Sequence, residues 1–172
     1  VAGDKTRVIT AIAGAQLPPY PQAIIPKVRP PDHTTDEDDL RQSLADDLHS
    51  PIMYVTAVML DPVEPQAWVR VRLDDRDITG DPLGGGRRGR ILREGYRIAE
   101  LAAQQSRKQR DLRFVTISAL SQLSSGSGAG PVVEVWHGRV DVTRLGVSDD
   151  KASAAEVEAV FDQIWWNPIA GF

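Results

Sequence analysis

The sequence predicts an α+β fold: a single antiparallel sheet of about four strands with three helices, in the order α-β-β-α-β-β-α, behind an extended proline-rich arm over residues 1–34. Three observations predict it. Leucines recur every four residues after Thr34, an apolar stripe runs along the basic stretch from Arg87 to Arg107, and short β-branched runs of strand length alternate with turn-rich segments. Residues 35–172 read as a single α+β domain, long enough to bury a core without staples.

The arm carries six prolines between Pro18 and Pro31. Proline removes backbone donors and biases its neighbours to extended geometry, which excludes a helix or central strand there. Tyr20, Ile24, Ile25 and Val28 give it more apolar content than a solvated linker needs, so it is expected to lie against its own domain or a neighbouring subunit. The chain opens on Val1, which fits a trimmed initiator or a start downstream of a removed or omitted segment.

Thr34-x-x-Glu37 is a capping-box pattern, and Leu40, Leu44 and Leu48 then give a short amphipathic helix ending before Pro51. Residues 52–60 are a nearly continuous apolar run of strand length. Residues 67–73 (Ala-Trp-Val-Arg-Val-Arg-Leu) alternate, with Arg70 and Arg72 on one face and Trp68 out of phase. A long turn leads to a helix at 87–107, in which Gly95 implies the close approach of another backbone. Residues 112–120 are strand-like, 121–130 read as a loop, and 132–142 are strand-like with Gly138 as a candidate bulge. Ser153-x-x-Glu156 is a second capping box, opening a helix with Val157, Val160, Phe161, Ile164 and Trp165 on one face. A faint echo, Tyr54-Val55-Thr56 against Phe114-Val115-Thr116, suggests two αββ units side by side.

Charge is split along the chain. Residues 32–81 carry thirteen acids against four arginines, net −9, whereas residues 87–113 carry nine bases against three acids, net +6. The glycine turn Gly84-Gly85-Gly86 followed by Arg87, Arg88 and Arg90 places positive charge where a helix start is already positive, which makes these six residues the candidate anion-binding site. The competing expectation is that the arginines pair with the protein's own acids. No Gly-Lys-Ser/Thr follows the turn, which excludes a Walker A loop.

The same segment resembles the acetyl-CoA-binding motif of the GNAT acetyltransferases, where a strand leads into an Arg/Gln-x-x-Gly-x-Gly/Ala turn whose amides hold a pyrophosphate. Asp81-x-x-Gly84-x-Gly86 keeps the glycines and places an acid where the family has a basic or amide residue. The resemblance covers about 40 of the 172 residues, and the element order after residue 120 is not the family's. It implies a CoA-like nucleotide as one candidate ligand and acyl transfer as one candidate reaction.

Catalytic and metal signatures are weak. His33, His49 and His137 are scattered, no cysteine is present, and Asp74-Asp75-x-Asp77 lacks the glutamate a calcium loop needs at its twelfth position, which is Gly85. No motif requires a cofactor, and no apolar run is long enough to span a membrane as a helix. Trp165 and Trp166 are adjacent, so a helix would bury Trp165 and leave Trp166, with Phe172, either as an apolar contact group or folded back on its own domain. The expectation is therefore a non-catalytic structural or interaction subunit of a larger protein assembly, such as a virion connector or a secretion or conjugation component. Its interface residues are Tyr20, Ile24, Ile25, Trp166 and Phe172, and its partners are protein subunits in a homo- or hetero-oligomer. The alternative is an anion-binding module at residues 84–97, taking an acidic protein face, nucleic acid or a CoA-like nucleotide.

Overall fold

The structure is a computed structural model that describes residues 35–74, 78, 80, 81, 83–107, 111–125, 128–146 and 151–171. The elements run α1 (Thr35–Asp47), β1 (Met53–Leu60), β2 (Gln66–Leu73), α2 (Gly86–Ser106), β3 (Phe114–Ser125), β4 (Gly128–Asp141), a 3-10 turn (Val142–Arg144), α3 (Ala154–Glu158) and β5 (Phe161–Trp166). The α+β class is as the sequence predicts, but the sheet has five strands in the order β1-β2-β3-β4-β5 and is mixed. β2 and β3 are parallel, Gln66 facing Phe114 through Arg72 facing Leu120, while the other three pairings are antiparallel. The physical reason is the length of the β2–β3 connection, which carries the 21-residue α2. A helix crossing the sheet returns the chain to the starting edge, so the next strand runs parallel.

α1 forms because Leu40, Leu44 and Leu48 fall on one stripe, and all three are buried. Glu37 does more than favour the helix start: its buried carboxylate accepts the Leu60 amide at 2.7 Å and so ties α1 to β1. Thr34, the expected cap, lies outside the described residues. α2 buries Ile91, Leu92, Tyr96, Ile98, Ala99 and Ala102 against Val69, Val71, Val115, Ile117 and Trp136 in one core cluster. The neighbour that requires Gly95 is not a backbone but the Trp136 ring, which a Cβ at residue 95 would penetrate. Gly138 is not the bulge either. It pairs regularly with Ile117 and Ile164, and its missing side chain makes room for Trp136 and Phe161.

Two further expectations are corrected. Residues 121–125 and 128–130 continue a hairpin instead of forming a loop, because β3 and β4 keep pairing to Ser125 opposite Gly128. The C-terminal helix stops at Glu158. Its capping box is present as expected, Ser153 Oγ accepting the Glu156 amide and Glu156 accepting the Ser153 amide. Beyond it Phe161–Trp166 is a strand on β4, where Phe161 and Trp166 pack against the Trp136 ring. A register shift between Arg139 and Val140 puts Phe161, Ile164 and Trp166 in or against the core and Trp165 beside His137.

Candidate functional site

The candidate anion site opens α2, with residues 74–83 between its first glycine and the end of β2. Gly84, Gly85 and Gly86 have φ of 102°, 80° and 58°, left-handed values that favour glycine, and a Cβ at Gly85 would collide with Ala154 at the start of α3. The turn is braced by Asp81. Its Oδ1 accepts the Leu83 amide at 3.0 Å and Arg93 Nε at 3.3 Å, its Oδ2 accepts Arg93 Nη2 at 3.0 Å, and its own amide donates to the Gly86 carbonyl. Arg93 Nη2 also donates to the Ala152 carbonyl at 2.8 Å, fastening the turn to the segment before α3. Burial alone would raise the Asp81 carboxyl, but the hydrogen bonds from Arg93 and the Leu83 amide, with the charges of Arg93 and Arg90, hold it below its ordinary value.

The arginines of this helix divide. Glu94, 1 % exposed, sits 3.1 Å from Arg90 Nη2 and 3.6 Å from Arg97 Nη1. Arg90 and Arg97 therefore neutralise a buried acid of their own helix, as Arg93 neutralises Asp81. Arg87 and Arg88 are exposed in the first turn, which contains no acid. Arg88 lies 5.1 Å from the Trp166 ring, so two separately predicted sites meet. Trp166 is half-buried, tilted against Trp136 at 6.0 Å, and packs on the core instead of standing clear of it. Tyr20, Ile24, Ile25 and Phe172 lie outside the described residues.

The face of the sheet turned away from α1 and α2 carries groups that periodicity only half revealed. On β2, Trp68, Arg70 and Arg72 share this face, so the tryptophan that breaks the expected apolar rhythm is in phase with the arginines. Cross-strand register puts Met59 and Thr116 beside Trp68, Ala57 and Ser118 beside Arg70, and Tyr54 and Leu120 beside Arg72. Ala57, Met59, Trp68, Arg70, Thr116 and Ser118 line a hollow of about 50 Å³. Further across, His137 stacks on Trp165 at 5.3 Å, and Glu134 accepts Ser118 Oγ at 2.5 Å and lies 3.6 Å from His137 Nδ1. Arg139 makes a bidentate pair with Asp162 and covers the Phe114 ring.

Among the described residues no group of three or more His, Cys, Asp or Glu is placed to hold a metal ion, and no helix is long and apolar enough to cross a membrane. No protein-family model, curated protein or solved structure matches the chain.

Proposed function

We propose that this protein is a non-catalytic interaction subunit of a larger protein assembly, docking through residues 1–34 and the C-terminal segment around Trp166. The observation that supports this reading is the joining of the α2 turn to that segment by the Arg88–Trp166 contact. Both partners of the contact come from stretches that expose an apolar side chain, Leu83 at 41 % and Ile169 at 44 %. Apolar groups beside exposed guanidinium charge suit a partner that is apolar at the centre of contact and acidic at its rim. The test is solution mass by light scattering for the whole chain, the chain starting at residue 35, and a Leu83→Asp/Ile169→Asp variant. A folded truncated chain that loses association supports the reading. One that keeps full oligomeric mass, together with an unaffected double variant, contradicts it.

A second reading, an anion-binding module at Gly84, Gly85, Gly86, Arg87, Arg88 and Arg90, gains support from topology. The glycine turn opens the helix that links two parallel strands, with residues 74–83 between it and the end of β2, and free backbone donors at a helix start can hold phosphates. Arg90 contributes least, since Glu94 already holds it. For a CoA-like nucleotide, acetyl-CoA should raise the melting temperature of the wild type and not of Arg87→Gln/Arg88→Gln. No shift at saturating nucleotide removes this reading, and the acyl-transfer reaction with it.

A further inference from the structure

We infer that the uncovered face of the sheet binds a single-stranded nucleic acid, with bases stacking on Trp68 and Tyr54 and phosphates held by Arg70 and Arg72. Single-strand binding combines sequence-tolerant stacking platforms with cations that follow the backbone. The basic helix α2 lacks the first ingredient: its one aromatic residue, Tyr96, is fully buried. The open face has both. Trp68, Arg70 and Arg72 are spaced two residues apart on one strand, so consecutive side chains stand roughly 7 Å apart. Tyr54, 52 % exposed, is the cross-strand neighbour of Arg72. Two aromatic rings therefore bracket two guanidinium groups.

Three observations show that this face is available. Arg70 and Arg72 are exposed and have no acid partner among the described residues, whereas the neighbouring acids are engaged, Glu134 with Ser118 and Asp162 with Arg139. Trp68 lines a hollow in this face together with Ala57, Met59, Thr116 and Ser118. Finally, the acids that give the chain its net negative charge include Asp36, Asp38, Asp39, Asp46 and Asp47, exposed on α1 in the helix layer. Acidic α1 behind the sheet disfavours a polyanion on that part of the helix layer. Splayed bases can reach this face, whereas the stacked bases of a duplex cannot meet Trp68 and Tyr54.

The inference is independent of the assembly reading, and its test uses the whole chain. Fluorescein-labelled oligodeoxythymidine and oligouridine are titrated at several salt concentrations, with a duplex of the same length and polyglutamate as comparators. The expected result is tighter binding of the single strands than of either comparator; the two single strands together tell DNA from RNA. Arg70→Gln/Arg72→Gln should lower the slope of log K against log salt by about 1.4, the loss of two phosphate contacts. Tyr54→Ala, at an exposed site where folding is not in question, should weaken binding about tenfold, the loss of one stacked base. Arg41→Gln/Arg107→Gln, which removes the same charge from the helix layer, should leave the slope unchanged. The inference is overturned by duplex or polyglutamate binding equally well, by Arg41→Gln/Arg107→Gln matching the β2 variant, or by binding lost on Arg87→Gln/Arg88→Gln while Arg70→Gln/Arg72→Gln retains it.

Discussion

Arg90, Arg93 and Arg97 of α2 and the two arginines of β2 carry the same charge and have opposite uses. On the helix, Arg93 closes on Asp81, while Arg90 and Arg97 flank Glu94, and both acids are buried. On the strand, Arg70 and Arg72 are exposed with no acid beside them among the described residues. By sequence count the helix is the basic region and β2 belongs to the acidic one. The difference teaches that charge density along a chain does not measure charge available to a partner. A buried acid draws in arginines and neutralises them. A regular strand with one buried face can leave its cations pointing at solvent.

The comparison breaks most visibly at Asp81. Asp81→Ala leaves Arg93 buried without its carboxylate, which should destabilise the protein by about 3–5 kcal/mol in urea denaturation. Gly95→Val comes next, since its side chain enters the space of the fully buried Trp136 ring. Overpacking of that kind costs about 1–3 kcal/mol, and it tests whether α2 is locked to the sheet. The acid dependence of Asp81 sharpens the same side. Its folded pKa is depressed, so its contribution is complete above the unfolded value of about 3.9 and is lost as pH falls through the lower folded value. The stability gap between wild type and Asp81→Asn should therefore narrow on acidification over that window. A gap that widens there would contradict the assignment. The smallest effect on stability belongs to the open face, where Arg70→Gln/Arg72→Gln should stay within about 0.5 kcal/mol of wild type.

Much of this was legible in the sequence, and the failures have physical causes. The leucine stripe of α1, the alternation of β2 and the Ser153–Glu156 capping box each express a local rule; the first two elements formed where the rule placed them, and the third began there. Strand direction is not encoded in alternation. The long helical connection from Leu73 to Phe114 was the available sign of a parallel pair. Phe161, Ile164 and Trp165 satisfy a helical spacing, yet pairing with β4 decided the matter, as tertiary context does for short aromatic segments. The Arg90–Glu94 pair was visible as an i, i+4 spacing, but the Asp81–Arg93 pair, twelve residues apart, needed the turn to be folded. Trp68 was the clearest missed signal: an apolar residue in phase with exposed arginines marks a face that periodicity assigns to water.

The most direct test of the central claim is a single pair of denaturation curves, Arg93→Gln against Arg70→Gln/Arg72→Gln. If the fold uses Arg90, Arg93 and Arg97 and leaves the arginines of β2 to a partner, losing Arg93 should cost about 3 kcal/mol or more. Losing two from β2 should then cost almost nothing. Comparable destabilisation by the β2 variant, or a neutral Arg93→Gln, would contradict the account.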